Sequence, residues 1–232
     1  MSTPAPSPVP RAILFDLDGT LADTAPDLAA AVNLLRSARG LETTPYEVLR
    51  PTASAGARGM IGASFGLTPQ DAGFDELKTG FFNNYEAAIA VHTTLFDGVP
   101  ELLDGLRQAG LAWGIVTNKP ARFTDPLLPL IGLAHAGCII SGDTTPHAKP
   151  HPEPLLEAAR RLGLAPEQCW YVGDDLRDIQ AGQAAGMATV ACAWGYCGAT
   201  EPAGWSADHL LASPHELLTL LRSRVSGAEL AA

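Results

Sequence analysis

The sequence predicts an α/β protein: a Rossmann-like parallel sheet with helices on both faces, plus a small all-helical cap inserted after the first strand. Three observations predict it. Short apolar runs alternate with helical patterns through the later chain, the reading expected of a parallel sheet covered by helices. The first two such runs are separated by about 90 residues, although a crossover needs only about 30. Acidic or polar residues also stand at the end of run after run.

The elements follow in order. Met1–Pro10 (MSTPAPSPVP) carries four prolines. It reads as a disordered leader and not a signal peptide, because no basic patch precedes an apolar stretch. Arg11–Phe15 (RAILF) is a buried strand by length and residue type. Residues 25–94 read as several helices. The clearest has Leu77, Phe81, Tyr85 and Ala88 or Ile89 at helical spacing. An unstructured loop of that length has no place in a compact domain. Strands follow at Ala112–Thr117, Cys138–Ser141, Cys169–Val172 and Met187–Cys192, with helices at Pro100–Ala109, Pro154–Leu162 and Asp175–Ala185. The expected domains are a core of residues 11–24 and 95–224, a cap of 25–94, and a frayed tail of 225–232.

Composition bounds the function. With 47% hydrophobic and 17% charged residues among 232, the chain can fill a sizeable core. Acidic residues outnumber basic ones 25 to 15, for a net charge of −10. That argues against a nucleic-acid partner, which needs a basic face. No run of about 18 apolar residues occurs, so no membrane span is expected. The cysteines Cys138, Cys169, Cys192 and Cys197 match no zinc spacing and read as reduced core residues, which makes the cytoplasm the default compartment. Twelve arginines stand against three lysines, Lys78, Lys119 and Lys149. Codon bias toward arginine is one reading; the other is that a retained lysine sits where arginine will not serve.

Four strand ends carry the chemistry. Asp16 and Asp18, two apart, point the same way into the crevice beyond the carboxyl edge of the sheet. Such close like charges need a holder, usually a divalent metal. Gly19 permits a sharp turn that brings N–H groups toward an anion. Thr117 and Asn118 offer a hydroxyl and an amide for phosphoryl oxygens. Lys149, beside Pro150, would hold an ammonium over the crevice. Gly173-Asp174-Asp175 and Asp178 add carboxylates that could complete a metal site. An Asp-Gly turn, a polar helix start, a surface lysine and helix capping would each explain one of these alone. Together, at successive strand ends, they point to an active site.

DLDGT at 16–20, TN at 117–118, KP at 149–150 and GDD-x-x-D at 173–178 resemble, in order and spacing, the haloacid dehalogenase superfamily. The match spans Arg11 to about Leu220. LADT at 21–24 and the helical insert resemble the small-cap subgroup that includes the phosphoglycolate phosphatases. The resemblance implies a phosphatase in which Asp16 is the nucleophile, forming an aspartyl-phosphate, and Asp18 the general acid and base. It implies Mg2+ held by the Asp16 carboxylate, the Asp18 carbonyl and Asp174. Gly19, Thr20, Thr117, Asn118 and Lys149 would surround the phosphoryl group. Asp175 or Asp178 would orient a metal-bound water. Asp18 itself points to phosphate rather than dehalogenase chemistry.

The expected substrate is a small anionic phosphate ester of the phosphoglycolate type. In the cap, Ser54–Gly59 is the candidate closing loop, and Arg58 the candidate for a substrate carboxylate. SAGARGMIG, AVHTTLFDG, WGIVTNKPARF and WGY are also similar to stretches of the N-acetylmuramic acid 6-phosphate phosphatases, whose substrate also carries a carboxylate. Trp194 and Tyr196 read as packing residues, with stacking on a ligand as the lesser reading. A phosphomutase of the same superfamily, which retains and redelivers phosphate, is a further alternative. A phospho-receiver domain is a remote one, since receivers need no such insert. Oligomeric state and the role of Lys119 are not readable from the sequence.

Overall fold

The computed structural model describes residues 9–198 and 200–229. Most of the predicted leader and residues 230–232 of the predicted tail lie outside them. Six parallel strands form the sheet: β1 (Ala12–Phe15), β4 (Ala112–Val116), β5 (Ile139–Ile140), β6 (Cys169–Gly173), β7 (Ala188–Cys192) and β8 (His209–Leu211), in the order β5-β4-β1-β6-β7-β8. The chain therefore runs outward from β1 on one side, then returns and builds the other side. The reversal leaves a crevice at the carboxyl ends of β1, β4 and β6, where ligands bind in such sheets.

β1 is buried along its whole length. Its alternation assigns the two faces. Ile13 and Phe15 join the core shared with α5 (Val99–Gln108), α9 (Pro214–Glu229) and the insert. Ala12 and Leu14 join the core under α7 (Glu153–Leu162) and α8 (Leu176–Ala184). Ile13, Leu14 and Phe15 each contribute about 1.5–3 kcal/mol on burial. β8 is absent from the sequence-based expectation because its three residues are half exposed and show no apolar run. α6 (Ala121–Leu130) was also unexpected. It holds Pro126 and Pro129 inside the helix, yet buries Phe123, Leu127 and Leu128. The final helix continues through 225–229, where a frayed end was expected.

The insert leaves and re-enters the core through an antiparallel ribbon of β2 (Ala22–Asp23) and β3 (Thr94–Leu95). Between them lie α1 (Ala25–Ser37), α2 (Tyr46–Leu49), a 3-10 segment (Arg50–Ala55), α3 (Gly56–Phe65) and α4 (Phe74–Ala87). Leu28, Val32 and Leu35 of α1 and Leu77, Phe81 and Tyr85 of α4 belong to one buried cluster, at the spacing of one helix face. The Asp27 carboxylate pins the return, accepting from the His92 and Thr93 N–H groups and the Thr93 hydroxyl. Ser54–Gly59 is not a loop, as expected, but the junction of the 3-10 segment with α3. Among the described residues no helix is long and apolar enough to cross a membrane.

Candidate active site

Asp16 follows β1 directly, and its N–H continues the sheet by donating to the Val172 carbonyl (2.9 Å). The strand thus delivers its carboxylate to the crevice, where Lys149 Nζ lies 2.9 Å from Oδ1. Lys149 arrives from the loop after β5. Its ammonium also donates to Asp178 Oδ1 and the Tyr171 hydroxyl, both at 2.7 Å, and to the Val116 carbonyl at 3.0 Å. Burial alone would lower the Lys149 pKa, but Asp16 and Asp178 more than reverse that, so it is raised. The ammonium is charged and held in place.

Asn118, expected from the sequence to bind phosphate, lines the cavity and also bonds the chain at Lys149. Its side-chain amide accepts from the Lys149 N–H and donates to the Lys149 carbonyl, both at 3.0 Å. It locks the Lys149 backbone. Thr20, expected beside the phosphoryl group, is bonded elsewhere through its hydroxyl. It is wholly buried and donates its hydroxyl to Asp174 Oδ1 (3.0 Å), so it positions an acid. Thr117 lines the cavity, and its oxygen accepts from the Lys119 N–H, leaving its own hydrogen available.

Three carboxylates, of Asp16, Asp174 and Asp178, bring oxygens within 4.8 Å of one another, all buried. One ammonium offsets only part of that charge. Asp174 has no cationic partner among the described residues; it accepts from Thr20, the Tyr196 N–H (2.9 Å) and the Ser54 hydroxyl (3.3 Å). Burial, then Asp16 and Asp178, push its carboxyl well above the ordinary range. Two glycines wall it in. A Cβ on Gly19, whose φ is +87°, would lie 2.2 Å from Asp174 Oδ2, and one on Gly195 would lie 2.3 Å from its Cβ. A compact cluster of hard oxygens with uncompensated charge fits a divalent cation.

Asp18 stands apart from the cluster by its side chain. It accepts from the Thr24 hydroxyl and from Lys119 Nζ at 3.0 Å. Lys119, unexplained by the sequence, is thus the buried counter-ion of the second acid, and it lies 4.6 Å from the centre of the Tyr85 ring. Asp175 turns away from the cluster. It caps α8 through the Arg177 N–H and pairs with the Arg177 guanidinium at 2.7 Å. Asp178 is in the cluster itself, its carboxyl raised chiefly by burial. Arg58 is exposed at the start of α3 and lines the cavity, with no acidic partner among the described residues. Lys78 is exposed on α4, as expected of a surface lysine.

Sequence reasoning missed Tyr196 as an organiser. Its hydroxyl accepts from the Thr24 and Ala25 N–H groups and contacts Asp23 at 3.0 Å, tying the loop after β7 to the base of the insert. Trp194 donates its indole N–H to the Thr20 carbonyl. Arg177 was also missed; it donates to the Ser54 carbonyl (2.8 Å), joining α8 to the insert. A WGY triplet carries no signal for such long-range bonds.

The carboxylate cluster has a measurable consequence. In the folded, metal-free chain Asp174 and Asp178 keep their protons to higher pH than they do in the unfolded chain. Their contribution therefore falls as pH rises from the ordinary carboxylate range through the raised folded values. In chelator, the melting temperature is expected to fall between about pH 5 and pH 8, more steeply than for Asp174→Asn. Added divalent cation should raise it more at the higher pH. Equal slopes for both proteins would show that the cluster does not titrate in this way.

Acids, an ammonium and a hydroxyl converging at the reversal point of a Rossmann-like sheet define a carboxylate-centred α/β enzyme. The chain belongs to the haloacid dehalogenase-like hydrolases, whose family profile matches residues 10–186. It is 48% identical over 210 residues to a phosphoglycolate phosphatase of Xanthomonas campestris pv. campestris (strain 8004), covering 90% of this chain and 95% of that one. It is 42% identical over 213 residues to an N-acetylmuramic acid 6-phosphate phosphatase of Pseudomonas aeruginosa, covering 91% and 94%. Among solved structures, a predicted phosphoglycolate phosphatase from Haemophilus somnus 129PT superposes with a TM-score of 0.81 at 27% identity, over 91% of this chain and 97% of that one.

Proposed function

We propose that this protein is a magnesium-dependent phosphatase acting on a small anionic phosphate monoester of the phosphoglycolate type. The observation that carries the reading is Lys149 Nζ, set between Asp16 and Asp178 beside the buried acid cluster. Asp16 and Asp174 would hold Mg2+, with the Asp18 carbonyl, while Asp178 fixes Lys149. When bound, the metal would supply positive charge against the phosphoryl oxygens.

The residues divide the work. Asp16 attacks phosphorus, and the ester oxygen leaves as the aspartyl-phosphate forms. Asp18, on the leaving-group side, protonates that oxygen and later takes a proton from the water that cleaves the acyl phosphate. Lys119 holds the Asp18 carboxylate in place. Lys149 and the Thr117 hydroxyl stabilise the charge on the transferring group. The helices of 25–94 act as a cap over this site, and Arg58 meets a substrate carboxylate. A cytoplasmic setting, where thiols stay reduced, suits four free cysteines.

A second reading, a carboxylate-bearing sugar phosphate as substrate, is favoured by the relative at 42% identity. Phosphate release with Mg2+ from phosphoglycolate, N-acetylmuramic acid 6-phosphate and a generic aryl phosphate tests both. Turnover of at least one ester, abolished by chelator, is expected. No release from any of them would sink the phosphatase reading.

A further inference from the structure

Lys119 leaves the strand end that carries Thr117, and its root is fixed in the core. Its N–H donates to the Thr117 hydroxyl oxygen (3.2 Å), and its carbonyl accepts from the Gly142 N–H (2.9 Å) and the Thr124 hydroxyl (3.2 Å). Its side chain is buried, and Nζ reaches both Asp18 oxygens, at 3.0 and 3.3 Å. A four-carbon stem has many rotamers, so a fixed root does not by itself aim the tip. Against the ammonium lies Tyr85 of the insert. Nζ stands over the ring, 4.6 Å from its centre, and the hydroxyl is beside it. The negative face of an aromatic ring holds a cation, more strongly where water is excluded, and Tyr85 is 1% exposed.

Tyr85 is carried by α4, whereas Asp18 and Lys119 belong to the core. The joint between α4 and α6 is made beside it. Tyr85 meets Phe123 of α6 edge-on at 5.3 Å, and the adjoining Glu86 and Arg122 pair at 2.6 Å. That ion pair is about half exposed, so it guides the contact without locking it. Withdrawal of α4 would take the ring from Lys119. Asp18 would then keep the Thr24 hydroxyl and an ammonium that nothing aims.

We propose that Tyr85 is a positioning residue for proton transfer to the leaving group: it aims Lys119, and Lys119 aims Asp18, so that the acid is in place only when α4 is docked on α6. The proposal rests on the phosphatase reading and adds a control on the same site. In the step concerned, the bond from Asp16 to phosphorus forms, the ester bond breaks, and the Asp18 proton passes to the departing oxygen. A phenoxide needs that proton more than a 4-nitrophenoxide, whose charge spreads onto the nitro group. Both esters bring a phenyl ring to the cavity, so direct contacts with the Tyr85 ring largely cancel in their ratio.

The test is kcat/KM with Mg2+ for phenyl phosphate and 4-nitrophenyl phosphate, which reads only the steps up to departure of the leaving group. Lys119→Met should widen the preference for the nitrophenyl ester about tenfold, and Tyr85→Leu about threefold or more. Adding Tyr85→Leu to Lys119→Met should widen it no further, because one residue acts through the other. Tyr85→Phe, which keeps the ring, should fall between wild type and Tyr85→Leu. Melting temperatures check that each variant folds, and the two Tyr85 variants decide the matter if Lys119→Met does not. Both esters slowed equally in Tyr85→Leu would make Tyr85 a packing residue and overturn the inference, leaving the phosphatase reading standing. An additive effect in the double variant would overturn it too, since Tyr85 would then act on the substrate directly. No release by the wild type from either ester, phosphoglycolate or N-acetylmuramic acid 6-phosphate would overturn the phosphatase reading itself.

Discussion

Replacing Asp16 by Asn is expected to abolish phosphate release, by about four orders of magnitude or more, while leaving the fold intact. An amide cannot form the acyl phosphate, and no other carboxylate can take its place. Asp18 is turned to Lys119 and Thr24, and Asp174 is walled in by Gly19 and Gly195. The effect on stability should have the opposite sign. Three buried carboxylates share one ammonium, and Asp16 is one cause of the raised Asp174 pKa. Neutralising Asp16 relieves that repulsion and leaves Lys149 its bond to Asp178. In chelator the variant should melt at or above wild type, and Mg2+ should raise its melting temperature less. A variant that melts far lower would mean that lost activity reports unfolding. One within about a hundredfold of wild-type turnover would mean that another group is the nucleophile.

This opposition between activity and stability marks what was legible in the sequence. Backbone direction alone places Asp16, Thr117 and Asp174 at adjacent strand ends, so strand-end motifs reveal the floor of the site. Side-chain partners are not encoded that way. Thr20 and Asn118 have the right chemistry for a phosphate, yet one hydroxyl is bonded to Asp174 and one amide to the Lys149 backbone. Only tertiary packing decides between a ligand and its support. Tyr196 lies about 170 residues from the Thr24 and Ala25 N–H groups it accepts from, and Lys119 about 100 from Asp18. No local pattern spans such separations. The same limit hid α6, whose prolines contradict its helical burial, and β8, which is held by its register with β7 and not by an apolar run.

Lys149→Met is expected to be the most damaging substitution for the fold and nearly as damaging for activity as loss of Asp16. Lys149 is 5% exposed, and its ammonium meets four oxygens between 2.7 and 3.0 Å, those of Asp16, Asp178, Tyr171 and Val116. Its removal leaves buried carboxylates facing one another without a counter-charge, a change that costs about 3–5 kcal/mol when one partner of a buried pair is deleted. For a chain of this size that is a fall of about 10 °C in melting temperature. The loss should shrink at lower pH, where Asp178 and Asp174 take up protons and the repulsion disappears. Lys149→Arg should not rescue it, because a planar fork cannot reproduce four contacts made by a point charge. The double variant Lys149→Met with Asp178→Asn separates the two roles. It removes one charge of each sign, so stability should return toward wild type while turnover stays down by about a thousandfold. Recovery of both would make Lys149 a structural counter-ion alone; recovery of stability without activity would place its charge on the transferring phosphoryl group.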